Sequence, residues 1–160
     1  MKSVFNLHGL STEAKTLSHL PNCTKLGSSE ARRRKSSDDY IDTTTGAIIE
    51  EKNARGGTVN QVHVLKADVI IISLRDDNYL VMTMGEILPH LRRQHSFSHW
   101  DCGSVSVVKL WKYTDPVKPE GLAEAVKQAE ERHRNDIVFQ VRKNIVKKLL
   151  GSMQALLNDV

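Results

Sequence analysis

The middle of the chain concentrates apolar residues in a way that predicts β-strands. Residues 59–74 read VNQVHVLKADVIIISL, and Val69–Ile72 form an unbroken β-branched run. Such a run is typical of a strand that is buried on both faces. Asp76-Asp77-Asn78 then predicts a tight polar turn, after which Tyr79–Met82 resumes the sheet as a hairpin partner. The segment SVSVVKLWKY at 104–113 predicts one more strand.

Patterns typical of helices follow the hairpin and occur again near the C-terminus. Thr83 and Glu86 form the T-x-x-E pattern of a capping box, which predicts a short helix. Pro89 interrupts it, so we expect a kink or a second start with the proline in the first turn. Apolar spacings of three and four over 136–157 predict an amphipathic helix. We expect its apolar face to cover the sheet, and the alternative is contact with a membrane or a partner.

These elements predict an α+β fold, with a small antiparallel β-sheet core, a short helix after a hairpin and C-terminal helices packed on it. We place one globular domain at residues 46–160, β-rich over 46–113 and helical over 117–160. Residues 1–45 are polar and irregular, and they offer too few apolar groups to offset the entropy of ordering. We therefore expect a mostly flexible, disordered basic arm before the domain.

The charge balance indicates an anionic partner. The formal net charge is +4, and this basic excess favours nucleic acid or an anionic membrane surface. The alternatives for the cations at 32–35 are a nuclear-import signal and a solvated charge run. Phosphorylation of Ser36 and Ser37, beside Asp38 and Asp39, would cancel that charge. The candidate membrane- or nucleic-acid-binding residues are all basic: Arg32, Arg33, Arg34, Lys35, Arg92, Arg93, Arg142, Lys143, Lys147 and Lys148.

Candidate catalytic chemistry is sparse. His95, His99 and Cys102 supply at most three zinc ligands at a suitable spacing, and a fourth is missing. Motifs for phosphate-binding loops and nucleophile elbows are absent, and the cysteines Cys23 and Cys102 are predicted to be free thiols. No apolar run reaches the roughly 18 residues of a membrane span. The sequence therefore predicts no enzyme, no catalytic residue, no cofactor and no metal.

The order of elements in residues 69–93, followed by SHWD at 98–101 before the next strand, resembles the central domain of rhabdovirus matrix proteins. The residues that carry this resemblance are VIIISLRDDNYLVMTMGEILPHLRR, and it covers about residues 59–113. The basic arm and the size class are also similar to that family. The chain departs from it in lacking Pro-Pro-x-Tyr and Pro-Thr/Ser-Ala-Pro late-budding motifs, and in its helical C-terminus.

The resemblance implies a viral structural matrix protein that takes part in assembly and budding. Such a protein self-associates as a homo-oligomer and bridges the viral nucleocapsid, with its RNA, to the inner face of the envelope membrane. The implied locations are the virion and the host cytoplasm or inner membrane face, with the nucleus left open. Two alternatives remain: an RNA-binding viral accessory protein, such as a movement protein or silencing suppressor, and a non-enzymatic adaptor that binds a partner at its hairpin edge.

Overall fold

The computed structural model describes residues 12–26, 39–54, 56–93 and 102–158. The first half of the fold consists of helix α1 at 12–18 and strands β1 (Cys23–Lys25), β2 (Asp39–Asp42), β3 (Ile48–Asn53), β4 (Thr58–His63), β5 (Val69–Ser73) and β6 (Tyr79–Thr83). The second half consists of α2 (Met84–Ile87), a 3-10 turn (Leu88–His90), β7 (Arg92–Arg93), β8 (Cys102–Ser106), α3 (Val107–Leu110), a 3-10 turn (Pro119–Gly121), α4 (Leu122–Asn135) and α5 (Ile137–Asn158).

The strands form two sheets. The larger sheet has the order β1-β2-β3-β5-β6, and the smaller has the order β4-β8-β7. The chain leaves the larger sheet after β3, forms β4 in the smaller sheet, and returns as β5. As a result β3 and β5 run parallel, while the other neighbouring pairs are antiparallel. The α+β class is confirmed, and the parallel pair corrects the expectation of a purely antiparallel sheet.

Both faces of the larger sheet are covered. Helices α1 and α4 cover one face, where Tyr40, Ile49, Ile71 and Leu122 belong to one apolar cluster. The smaller sheet and the start of α5 cover the other face, in a cluster that includes Ile70, Leu80, Val105 and Phe139. All five residues of β5 are therefore buried, which confirms the prediction for Val69–Ile72.

The predicted hairpin, its connecting turn and the helix cap that follows it are confirmed. Strands β5 and β6 pair as antiparallel neighbours. Asp77 occupies the left-handed region with φ 64°, and the Asp76 side chain accepts a hydrogen bond from the Asn78 N–H at 3.2 Å. The Thr83 hydroxyl accepts from the Glu86 N–H at 3.0 Å, as the capping box predicts. Pro89 lies in the first turn of a separate 3-10 segment, which is the second of the two expected arrangements.

Two boundaries differ from the sequence analysis. The strand predicted at 104–113 ends at Ser106, and α3 follows because Val107 and Leu110 are buried at helical spacing while Val108 is exposed. The ordered fold also begins before residue 46, since α1, β1 and β2 all precede it. These elements are short and only partly apolar, so their stability depends on packing and not on a strong local pattern.

Helix α5 has the predicted length but not the predicted packing. Phe139 is its one buried residue within the part of the chain that the structure describes. Eight large apolar side chains are at least half exposed: Ile137, Val138, Val141, Ile145, Leu149, Met153, Leu156 and Leu157. The expectation that this face covers the sheet is wrong, because α1 and α4 already occupy one sheet face and the smaller sheet occupies the other.

The start of α5 depends on a close approach at Gly85 in α2. A Cβ atom added there would lie 3.1 Å from Phe139 Cγ and would overlap the carboxylate of Asp136. We predict that Gly85→Ala lowers the free energy of unfolding by about 1–3 kcal/mol, as overpacking generally does. Chemical denaturation measures this value. Gly56→Ala is the control, because open space surrounds that position, and equal stability of the two variants would contradict the contact.

Candidate functional site

Two consecutive acidic residues lie at the centre of the larger sheet. Glu50 and Glu51 belong to β3, which has β2 on one side and β5 on the other. Both carboxylates are buried. Since successive side chains of a strand point to opposite faces, Glu50 and Glu51 enter different environments. The two carboxylates therefore have different partners and different chemical roles.

Glu51 is held by hydroxyl groups. Its Oε1 atom lies 2.7 Å from the Thr16 hydroxyl and 2.8 Å from the Ser73 hydroxyl, and its Oε2 atom accepts a hydrogen bond from the Tyr40 hydroxyl. These three residues come from α1, β5 and β2. A buried carboxylate with several O–H donors is stabilised without a counterion. Glu51 therefore has a structural role, because it ties α1 to three strands of the sheet.

Glu50 lies on the opposite face, beside an amine. The Lys52 Nζ atom is 3.2 Å from Glu50 Oε1, and the Glu50 side chain is only 1 % exposed. In the register of β2 and β3, Asp39 is the direct partner of Glu50. Glu50 and Lys52 thus bring an acid and a lysine to one face of β3, next to the backbone of β2.

This combination of residues suits a divalent cation and a phosphate. Mg²⁺ is typically bound by one or two carboxylates together with oxygens of a substrate phosphate. A lysine ammonium adds a compact positive charge for the same phosphate. No group of three or more His, Cys, Asp and Glu side chains within the described residues is arranged to hold a metal ion. A buried carboxylate beside a lysine, as at Glu50 and Lys52, suits an ion that would be shared with a substrate phosphate.

This site is not apparent from the sequence. Asp39 belongs there to the acidic flank of Ser36 and Ser37, and the two glutamates that end the apolar segment GAIIEE match no familiar motif. The available signal was a lysine two residues after a glutamate in the region predicted to be β-rich, with an aspartate eleven residues upstream. Only the strand register shows that these positions are neighbours.

The predicted basic residues have different surroundings. Arg32, Arg33, Arg34 and Lys35 lie outside the described residues, as do His95 and His99. Arg92 is exposed, and Arg93 belongs to the same strand, β7. Arg142, Lys147 and Lys148 are exposed on α5. The structure therefore does not bring all ten candidates together on one surface.

Lys143 is the exception on α5, because it points inward. Its side chain is 11 % exposed, and its Nζ atom lies 3.6 Å from Asp68 Oδ1 and 6.0 Å from the centre of the Phe139 ring. The His133 Nε2 atom lies 3.2 Å from the same Asp68 oxygen. Burial opposes ionisation of Asp68, but hydrogen bonds from His133 and Ile48 and the charge of Lys143 outweigh it and lower its pKa to about 2. This cluster fixes the first turns of α5 to the sheet.

The remainder of α5 has an apolar stripe bordered by cations. Val141, Ile145 and Leu149 lie on this exposed stripe, and Arg142 and Lys148 are on its borders by helical spacing. The sequence of α5 contains four basic residues and no Asp or Glu. None of the helices that the structure describes is long and apolar enough to cross a membrane. The stripe is thus an unpartnered surface on a positively charged helix.

A second acidic pair lies between the β2–β3 turn and α4. Asp42 and Glu130 are both buried, and Glu130 Oε2 accepts a hydrogen bond from the Thr45 hydroxyl at 3.0 Å. Burial, followed by the hydrogen bond and the charge of Asp42, raises the pKa of Glu130 to about 7. Burial opposes ionisation of Asp42 too, but hydrogen bonds from Glu130 and Thr44 outweigh it and lower its pKa. The two carboxyl groups therefore share one proton.

This pair predicts a pH dependence of stability. The pKa of Glu130 is raised in the folded state from 4.5 to about 7, so the folded state binds this proton more tightly. Its stabilisation is complete below about pH 4.5 and is lost as the pH rises through about 7. Glu130→Gln cannot ionise. We predict that it loses less stability than the unmodified protein between about pH 5 and pH 8.

Chemical denaturation at several pH values measures this difference. Glu124→Gln is the matched control, because Glu124 is an exposed acid on the same helix that borders the same cleft. Its pH profile should follow that of the unmodified protein. Identical profiles for Glu130→Gln and the unmodified protein would contradict the shared proton.

Comparison with protein-family models finds no family that matches the chain, and comparison with curated proteins finds no significant match.

Proposed function

We propose that this protein hydrolyses phosphodiester bonds of nucleic acid with the help of a divalent metal ion. The observation that carries the proposal is the position of Lys52 at 3.2 Å from the buried Glu50 carboxylate, on a strand whose backbone pairs Glu50 with Asp39 of β2. The sequence analysis expected no enzyme. That expectation rested on the absence of familiar motifs, and it did not consider residues that are adjacent only through strand pairing.

Glu50 and Lys52 each have a defined role in this proposal. Glu50 would hold the ion together with a phosphate oxygen of the substrate. The ion would polarise the phosphate and increase the acidity of a water molecule. Lys52 would place its positive charge beside the phosphate, where negative charge increases in the transition state. Glu51 on the other face would hold β3 in position through its hydroxyl partners.

The burial of Glu50 supports a chemical role. Removing a carboxylate and an amine from water costs free energy that an apolar pair of similar size does not. Glu51 already supplies a polar connection between the strands, so the core gains little from a second buried acid. Ionisable groups in environments that disfavour their charged form are concentrated at functional sites.

The charge of the chain supports a nucleic acid as the substrate. The formal net charge is +4, and Arg92 is exposed on the smaller sheet. Cations that contact phosphates bind without reading the bases. Aromatic residues make up only 5 % of the chain, so base stacking has few candidate residues. We therefore propose cleavage with little sequence preference.

We predict that the full-length protein cleaves DNA or RNA oligonucleotides when Mg²⁺ or Mn²⁺ is added. Glu50→Gln should reduce the rate at least about a hundredfold, because it removes a metal-binding charge, and Lys52→Ala should reduce it by a similar factor. Gel-resolved cleavage of labelled oligonucleotides measures the rates, and circular dichroism checks that each variant is folded.

The matched control is Glu86→Gln, which removes one carboxylate from the exposed ion pair with Arg132 at 2.7 Å. Its cleavage rate should equal that of the unmodified protein. The proposal would be wrong if folded Glu50→Gln cleaved at the unmodified rate. It would also be wrong if the unmodified protein cleaved neither DNA nor RNA with either ion.

A second candidate function is supported by the exposed stripe of α5. We propose in this case a matrix-type structural role, in which α5 lies on an anionic membrane surface. Its apolar residues would enter the lipid interface, and Arg142, Lys147 and Lys148 would meet anionic headgroups. Self-association and contact with a viral nucleocapsid or RNA would complete this role, and multivalency would strengthen individually weak contacts. The implied location is the inner membrane face or the virion.

We predict for this candidate that the protein co-sediments with phosphatidylserine-containing liposomes at about 150 mM salt. Replacing Val141, Ile145 and Leu149 by Asn should reduce the bound fraction at least about tenfold, because burial of apolar surface is lost. The control replaces Asn144 by Gln and Gln154 by Asn on the polar side of α5. Equal binding of both variants, or no binding of the unmodified protein, would exclude this role for α5.

A variant with Arg32, Arg33, Arg34 and Lys35 changed to Ala tests the N-terminal cations in parallel, with single-stranded RNA as the second ligand.

A further inference from the structure

A cysteine and a histidine meet in the smaller sheet, away from the Glu50 site. Cys102 of β8 and His63 of β4 are direct register partners. The Cys102 Sγ atom lies 3.1 Å from His63 Nδ1 and 3.3 Å from His63 Nε2. A thiol within hydrogen-bond distance of an imidazole is the arrangement in which the imidazole removes the thiol proton and produces a nucleophilic thiolate.

Cys102 borders an apolar pocket. The Cys102 residue is 3 % exposed, and it lines a cavity of about 300 Å³ between the smaller sheet and α5. This volume is at the lower end of the range for small-molecule sites. The apolar part of the wall comes from Val64, Leu65, Leu88, Leu91, Phe139 and Val146. Cys102 thus contributes to the wall of a space suited to a hydrocarbon chain.

Two cations complete the wall of this pocket. Arg142 and Lys143 lie beside the apolar residues, and Arg142 is exposed whereas Lys143 is paired with Asp68. An apolar cavity with an exposed guanidinium at its border is complementary to an amphiphile with an anionic group. Fatty acyl thioesters of a phosphorylated carrier have this chemistry, and their carbonyl carbon is a substrate for a thiolate.

We propose that Cys102 accepts a medium-chain acyl group from an acyl thioester, and that the acyl chain occupies the pocket. His63 takes the proton from the Cys102 thiol, and the sulfur attacks the thioester carbonyl. A carbon–sulfur bond to Cys102 forms, and the carbon–sulfur bond to the carrier breaks. His63 then returns the proton to the departing thiolate, so the exchange needs no oxidant or reductant. This inference is independent of the proposed hydrolysis, because it uses other residues on the other sheet.

The second cysteine of the chain is an internal control. Cys23 lies in the cleft with Asp42 and Glu130. Burial, followed by the negative charges of Asp42 and Glu130, raises the pKa of the Cys23 thiol to about 12. Cys23 therefore remains a thiol at neutral pH and reacts slowly. Cys102 should be acylated first.

The test incubates the full-length protein with decanoyl-coenzyme A at neutral pH and follows intact mass. We expect one decanoyl adduct per chain, located on Cys102 by peptide mapping and released by hydroxylamine. Cys102→Ser should form no such adduct, while Cys23→Ser should react at the unmodified rate. His63→Gln should slow the reaction by about a hundredfold, as loss of a general base does.

A further variant separates pocket binding from simple thiol reactivity. Val146→Trp fills the pocket without changing Cys102 or His63, so it should slow decanoyl transfer at least about tenfold and leave transfer from acetyl-coenzyme A unchanged. Circular dichroism verifies the fold of each variant. The proposal would be overturned by an adduct mainly on Cys23, or by folded His63→Gln reacting at the rate of the unmodified protein. It would also be overturned if Val146→Trp transferred the decanoyl group as fast as the unmodified protein does.

Discussion

The alternation of side chains along β3 is the constraint on which the rest of the structure depends. β3 pairs with β2 on one side and with β5 on the other, and both of its faces are covered. Two adjacent glutamates on such a strand must both be buried, on opposite faces. Glu51 meets hydroxyl groups and connects α1 to the sheet. Glu50 meets Lys52, and Asp39 of β2 is the backbone register partner of Glu50.

Coverage of both sheet faces also determines what α5 can do. Helices α1 and α4 and the smaller sheet take the positions in which an amphipathic helix would normally be buried. Only the first turns of α5 are fixed to the fold, through Phe139 and the ion pair between Lys143 and Asp68. The rest of its apolar stripe is exposed. The same arrangement leaves the pocket that Cys102 borders between α5 and the smaller sheet.

The sequence predicts the features of this fold that depend on neighbouring residues. The apolar run Val69–Ile72, the Asp76-Asp77-Asn78 turn and the Thr83 cap are local patterns, and the structure contains all of them. The end of β8 was missed because Val107 and Leu110 fit either a strand or a helix until their burial is known. The length of α5 follows from its period, but the period does not show which surface covers the apolar face.

The candidate sites were beyond sequence reasoning for a different reason. The backbone register pairs Asp39 with Glu50, Cys102 contacts His63 across two strands, and Asp42 lies beside Glu130 across a turn and a helix. Each pair is brought together by strand pairing or tertiary packing, so one sequence does not show which of these residues lie next to each other. The cations at 32–35 are conspicuous in the sequence but lie outside the described residues.

The most direct test of the central claim is Mn²⁺ binding to the full-length protein, measured by electron paramagnetic resonance of the free ion without any nucleic acid. If Glu50 contributes to a divalent-ion site, the unmodified protein should bind Mn²⁺, and Glu50→Gln should weaken binding at least about tenfold. Exposed Glu86→Gln should leave the affinity unchanged. Equal Mn²⁺ affinity in the unmodified protein and in folded Glu50→Gln would contradict the account, because the buried acid of β3 would then bind no ion.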